Sequence, residues 1–125
     1  MSIPRNLSKL AEFTDSNGGL ANPTLTGYTE TIYALGTSGS IALNPANGTI
    51  QTCAASGTVT FTDSLAAGQS IVLRLTGGVA NTINWPTTTW ISATGNVAPT
   101  LTASSVLVFF KIGTTLYGSF VGSYV

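Results

Sequence analysis

The chain contains 125 residues, of which only 6% are charged, and four cations balance four anions to give a formal net charge of zero. Ordinary soluble domains carry about 25% charged residues, and phosphate recognition needs clustered Lys or Arg, so the composition excludes electrostatic binding of nucleic acid or anionic membranes. Histidine is absent and Cys53 is the single cysteine, which excludes Ser-His and Cys-His nucleophile pairs, His-based zinc sites and an intrachain disulfide.

Length and residue usage predict one all-β domain. A chain of this length supports one hydrophobic core. Ser and Thr supply 34 residues and Gly another 14, and these residue types favour strands and turns over helix surfaces. The N-terminus has no apolar signal-peptide core, and no apolar run approaches the roughly 18 residues of a membrane span. We therefore expect a protein that is made in the cytoplasm and stays in the cytoplasm until it assembles. We expect no contact with a membrane.

Residues 1–27 are predicted to form a short helical or extended N-terminal arm. Asn6 is a candidate N-cap for a helix over residues 7–13, and the polar residues that follow predict its end. Half of the eight charges lie in the first fifteen residues. A charged arm on an uncharged body indicates a docking arm that reaches a neighbouring molecule, and a helix packed on its own domain is the alternative. The candidate docking residues are Ile3, Pro4, Arg5, Leu7, Leu10 and Phe13.

Residues 28–125 are predicted to form the β domain. Short segments with alternating apolar and polar residues are separated by turn signals rich in Gly, Asn and Pro. In one of them, Val59 and Phe61 share a face and three threonines occupy the other. The predicted strands are residues 31–35, 40–43, 49–54, 58–62, 70–76, 81–85, 105–111 and 116–121.

Three local patterns refine this prediction. The pair Asn47-Gly48 predicts a hairpin between the second and third strands. The segment 105–111 is apolar on both faces, which predicts a central strand covered on both sides. Arg74 is predicted to be solvated on the polar side of its strand. Together the patterns predict an antiparallel two-layer β-sandwich that is jelly-roll-like.

Candidate functional residues are few. Trp85 and Trp90 flank a Pro-Thr-Thr-Thr segment, so they either form an exposed platform for a sugar ring or pack in the core or at a subunit contact. Glu30 and Asp63 are the carboxylates that border the β domain, and neither lies in a polar cluster that would indicate glycoside hydrolysis. Cys53 is predicted to be a small buried apolar residue. The protein is predicted to be non-enzymatic, with no metal and no cofactor.

The second half of the chain carries a recognisable pattern. It contains Asn84-Trp-Pro-Thr-Thr-Thr-Trp90, then Gly95-Asn-Val-Ala-Pro-Thr-Leu-Thr102, then Val106-Leu-Val-Phe-Phe110 and Leu116-Tyr-Gly118. With the two strands before it, this run resembles a small β module recurrent in phage virion proteins, over roughly residues 39–124. It departs from that pattern at Leu116, where an aromatic residue is often seen, and at Ser105, where an acidic residue is usual. The first ten residues are similar to the starts of structural proteins in phages of cyanobacteria and other aquatic bacteria.

The resemblance implies a bacteriophage virion structural protein. Related modules occur at the ends of tail fibres and as small proteins that decorate capsids, often as trimers. The 125 residues contain no fibrous repeat or coiled-coil heptad, which favours a capsid decoration (cement) protein that stabilises the head shell. Its expected partners are other copies of itself, most simply as a homotrimer, and the major capsid protein or other virion proteins. The alternative is a tail-fibre or tail-spike tip that binds a host-surface glycan receptor.

Overall fold

The computed structural model describes residues 19–20 and 24–125 of the chain. Those residues contain nine strands and no helix, so the all-β prediction is confirmed. The predicted helix over residues 7–13 lies outside the described residues. So do the six candidate docking residues, which are Ile3, Pro4, Arg5, Leu7, Leu10 and Phe13.

Each predicted strand corresponds to one observed strand, and one further strand was not predicted. The strands are β1 (Ile32–Ala34), β2 (Gly39–Leu43), β3 (Ile50–Ala54), β4 (Val59–Asp63), β5 (Ser70–Thr76), β6 (Ile83–Asn84), β7 (Thr89–Ile91), β8 (Ser104–Ile112) and β9 (Thr115–Ser123). The unpredicted strand is β7. It is three residues long, so it shows too little alternation to be recognised from sequence.

The strands form two mixed or parallel sheets. One sheet has six strands in the order β1-β3-β5-β8-β9-β7, and the other has three in the order β2-β4-β6. Only the β5-β8 and β8-β9 pairs are antiparallel. The other five pairs are parallel. The antiparallel prediction is therefore wrong for five of the seven strand pairs.

Four of the five parallel pairs arise because the first six strands alternate between the two sheets. Each strand from β1 to β4 pairs with the strand two elements later, so Gly39 lies opposite Val59 and Ile50 lies opposite Val72. Parallel neighbours need a crossover between them, and here a strand of the opposite sheet provides it. The chain thus winds as a coil of about twenty residues per turn. Jelly rolls are built from antiparallel strands, so the coil argues against the predicted jelly-roll likeness.

The segment after β2 is a corner of this coil, so the predicted hairpin is wrong. β2 and β3 belong to different sheets, and the chain crosses between the sheets at Asn47-Gly48. Gln51, which is fully buried, closes the corner: its Nε2 donates to Asn44 O at 2.8 Å and to Gly48 O at 3.0 Å. A side-chain amide thus donates to two backbone carbonyls of the corner that no ladder pairs.

The corner between β5 and β6 is closed in a similar way. Asn81 Nδ2 donates to Ala55 O at 3.0 Å and to Gly77 O at 2.8 Å. Gly77 has φ +76°, and a Cβ at this position would lie 2.5 Å from Ala55 O. Glycine is required here because any side chain would meet both a strained backbone and a backbone oxygen.

The inward-facing residues of both sheets form one hydrophobic cluster. In β5, Ile71, Leu73 and Leu75 are buried while Val72 and Arg74 between them are exposed, as the alternation predicted. The buried members of the cluster are Ile41, Leu43, Cys53, Val59, Phe61, Leu65, Ile71, Leu73, Leu75, Trp90, Leu107, Phe109 and Leu116.

The prediction that Cys53 is a small buried residue is confirmed, since only 2% of it is exposed. Its Sγ donates to Gly36 O at 3.4 Å, and burial raises the pKa of the thiol. Because the thiolate is the reactive form, we expect a soluble disulfide reagent at pH 8 to label the folded protein far more slowly than the urea-unfolded protein. Equal labelling rates with and without urea would contradict this burial.

Candidate interaction surface

A continuous row of mostly apolar side chains crosses the outer face of the six-stranded sheet. Residues that lie directly opposite each other on neighbouring strands point to the same face. The register therefore aligns Ile32, Ile50, Val72, Val108, Ser119 and Ile91 in one row. Ile32 and Ile91 at its two ends are 67% and 52% exposed. We name the outward-facing residues of this sheet the apolar face.

Aromatic residues extend the apolar face on one side of this row. Phe110 lies opposite Tyr117, and their rings stack with centroids 5.3 Å apart and an interplanar angle of 12°. On the other side, Val106 lies opposite Arg74. Arg74 is exposed and is the one charged side chain among the outward-facing residues of the six strands. Its predicted solvated position is confirmed.

The outer face of the three-stranded sheet has a different chemistry. Its outward side chains are small, hydroxyl-bearing or amide-bearing, and Asn84 Nδ2 donates to Thr60 Oγ1 at 3.3 Å. They are Ser40, Ala42, Thr60, Thr62 and Asn84, all of which are exposed. Isolated exposed apolar residues are normal, but a contiguous apolar patch marks an interaction site. The contrast between the two outer faces therefore identifies the apolar face as the candidate site.

Strand β8 supports this assignment. Its central position, between β5 and β9, confirms the prediction from its apolar sequence. On the inner face Leu107 and Phe109 are fully buried, whereas on the outer face Val108 and Phe110 are only half-buried. The sequence predicts that β8 is covered on both faces. The described residues of the chain cover only its inner face.

The two tryptophans lie in an aromatic cluster rather than on a platform. Trp90 is 7% exposed and lies 5.8 Å from Phe109 and 5.4 Å from Trp85 between ring centroids. Trp85 is half-buried and stacks on Phe61 at 5.2 Å. The sugar-platform alternative is wrong for Trp90, because its ring is enclosed by the core. The core-packing alternative agrees with the position of both residues.

Gly118 makes room for this cluster. A Cβ at this position would lie 2.8 Å from Trp90 Cζ3, 2.9 Å from Thr88 Cγ2 and 3.0 Å from Phe109 Cε1. We expect Gly118→Ala to lower the free energy of unfolding by about 1–3 kcal/mol, because overpacking displaces the rings. Gly36→Ala is the matched control, since its Cβ would meet Ile41 at an ordinary 3.7 Å. Equal urea midpoints for the two variants would contradict the prediction.

A groove of about 500 Å³ lies beside β7 at the edge of the six-stranded sheet. Its lining mixes apolar and hydroxyl side chains: Trp90, Ile91, Ser92, Ala93, Thr94, Val97, Ala98, Pro99, Thr100 and Phe120. No charged residue lines it, which suits an uncharged ligand. Sequence reasoning missed this groove, because Phe120 reaches it from β9, far along the chain.

Asn96 lies in the loop that follows β7 and holds this loop against the strand, beside the groove. It is the one non-glycine residue with positive φ, at 49°, among the described residues, and asparagine tolerates this conformation better than most residues. Its backbone N–H donates to Trp90 O at 2.9 Å, and its Oδ1 accepts from the Trp90 N–H at 2.9 Å. The edge strand is therefore paired with a loop.

The carboxylates that border the β domain have separate partners. Asp63 Oδ2 lies 2.8 Å from Lys111 Nζ, an ion pair that joins β4 to β8. Glu30 Oε1 accepts from Thr49 Oγ1 at 3.1 Å. Within the described part of the chain, Glu30 and Arg74 have no ion-pair partner. No group of three or more His, Cys, Asp or Glu that could hold a metal occurs in the same residues.

Comparisons with known proteins give no further assignment. No protein-family model matches the chain, and neither a curated protein nor a solved structure matches it. Among the described residues there is also no helix of the length and apolar character needed to cross a membrane.

Proposed function

We propose that this protein is a structural component of a bacteriophage particle, a capsid decoration (cement) protein that binds the head shell and stabilises it. It acts without catalysis or cofactor, as a homo-oligomer, with a trimer implied by the resemblance. The observation that carries the proposal is the apolar face, which spans all six strands in a chain with few charges. Such a surface suits permanent contact with other proteins.

We also propose that the two sheets pack as the two layers of a sandwich, with the coil forming one end. The shared hydrophobic cluster supports this finer description, as does the ion pair between Asp63 in one sheet and Lys111 in the other. A rigid two-layer body presents the apolar face on one side and the hydroxyl-rich face on the opposite side. In the assembled particle the hydroxyl-rich face is then the one that contacts water.

The proposed mechanism is linkage between binding and shell stability. A protein that binds the assembled shell and not the dissociated subunits shifts the equilibrium toward the shell. Residues 1–27 are proposed to dock on the major capsid protein, through the apolar residues predicted from the sequence. The protein is made in the host cytoplasm in this proposal and resides in the virion.

Cosedimentation with DNA-filled, tail-less heads that were assembled without this protein tests the proposal. We expect saturable binding at many copies per head. Leu7→Asp combined with Leu10→Asp should abolish binding, whereas Thr62→Lys on the hydroxyl-rich face should leave it intact. No binding of the unaltered protein to heads would refute the decoration function.

The second candidate function is a tail-fibre or tail-spike tip that binds a neutral host-surface glycan. The groove beside β7 favours it, because aromatic, apolar and hydroxyl side chains without charge suit a sugar ring. A glycan array probed with the protein tests this candidate. Binding that Phe120→Ala removes, together with no binding to heads, would replace the decoration proposal with this one.

A further inference from the structure

We infer that the apolar face packs against a second copy of this chain. The inference deepens the proposed function by naming the surface through which copies associate, and it rests on the homo-oligomer in that proposal. Three properties of the described residues carry it: the chemistry of the face, its size and the distribution of the unpaired charges.

The chemistry of the face favours contact with another protein surface. Val72 and Val108 lie at the centre of the aligned row, and Phe110 and Tyr117 stack beside them. Val72, at 37%, remains exposed, although its neighbours Ile71 and Leu73 are fully buried. A face of β-branched and aromatic residues is the kind of surface that two packed sheets bury between them at a spacing of about 10 Å.

The size of the face matches a small subunit interface. The six strands contain 36 residues, and each strand residue covers about 16 Å² of a sheet, which gives a flat area of about 570 Å². Accessible area exceeds the flat area because side chains protrude. The flat area is smaller than the roughly 800 Å² that one partner contributes to a standard interface, and it lies in the range of a small one.

The unpaired charges favour a second copy over a highly charged partner. Arg74 is exposed on the face, and Glu30, also exposed, precedes the edge strand β1 of the same sheet. The two charges have opposite signs, so neighbouring copies offer Arg74 of one chain an anion from the other. A strongly acidic or basic partner would find no matching set of charges on this surface.

The test is the mass of the full-length protein in solution, measured by light scattering after size-exclusion chromatography. For the unaltered protein we expect an integer multiple, two or more, of the 12.8 kDa chain mass. Val72→Lys should raise the dissociation constant about tenfold or more, because it places an unpaired charge in the contact. Thr62→Lys adds the same charge to the hydroxyl-rich face and should leave the mass unchanged.

Two outcomes would overturn the inference. A monomeric unaltered protein would mean that the face is covered by residues 1–23 of its own chain or by a different protein. An unchanged mass for Val72→Lys with a native circular dichroism spectrum would mean that copies associate elsewhere. If Val72→Lys does not fold, Ile91→Lys at the exposed end of the row tests the same face. A monomer would also remove the homo-oligomer from the proposed function, whereas binding to the head shell is measured separately by cosedimentation and can still succeed.

Discussion

Replacing Phe109 by alanine is expected to lower the free energy of unfolding by about 3–5 kcal/mol. The side chain is fully buried, and its ring lies 5.5 Å from Trp85 and 5.8 Å from Trp90 between centroids. Gly118 lies directly opposite in the sheet and has no side chain to fill the space. Domains of this size have total stabilities of about 5–15 kcal/mol, so this loss is a large fraction of the total.

The adjacent residue provides the matched control. Phe110 has the same side chain but lies on the outer face, where it is half-buried and stacked on Tyr117. We expect Phe110→Ala to cost about 1 kcal/mol when measured at a concentration low enough to prevent association. Urea unfolding followed by circular dichroism gives both values. Similar losses in the free energy of unfolding for the two variants would contradict the assignment of Phe109 to the buried inner face and Phe110 to the outer face.

Replacing Gln51 by glutamate is expected to destabilise the protein by about 3–5 kcal/mol at pH 7. Gln51 is fully buried, and its Nε2 donates to the carbonyl oxygens of Asn44 and Gly48. Its Oε1 has no hydrogen-bond partner among the described residues. An ionised carboxylate at this position would face two carbonyl oxygens, without solvent or a cation to compensate it.

The loss should depend on pH with a definite sign. Burial raises the pKa of the introduced carboxyl in the folded state above its unfolded value of about 4.3. Below the unfolded pKa the protonated acid retains one donor and much of the stability, which is then lost as the pH rises through the folded pKa. Gln51→Met is the uncharged control, with an expected loss of about 1–3 kcal/mol. Urea unfolding at pH 4 and pH 7 should separate the variants, and a glutamate effect that is equal at both pH values would refute this account.

The positions of most strands could be predicted from the sequence, because alternation of apolar residues is a local signal. The segment predicted at residues 70–76 is the observed β5, with Leu73 inward and Arg74 outward. Strand direction could not be predicted, since parallel and antiparallel strands have the same period. At Asn47-Gly48 the turn signal is present, but the next strand joins the other sheet.

The candidate surface was predictable only in part. The apolar character of β8 on both faces predicted a second cover over the strand, and this stays a prediction; Val108 and Phe110 lie on the outer face. Their alignment with Ile32 and Ile91 depends on pairings between strands that are distant in the chain. A local sequence pattern does not predict such pairings. The tryptophan pair was ambiguous for a similar reason, because burial of Trp90 depends on the glycine that faces it from β9.

Because the first six strands wind as a coil, the length of such a protein can change by whole turns of that coil. Each turn of about twenty residues contributes one strand to each sheet, and neighbouring strands are about 4.8 Å apart. A duplicated turn added ahead of β1 would lengthen each sheet by that increment and leave the existing strand pairings in place. β8 ends this series at the other side, because it pairs antiparallel with β5. Growth by internal duplication is therefore confined to one end, and the reach of the molecule can be adjusted in discrete steps while its C-terminal half stays constant.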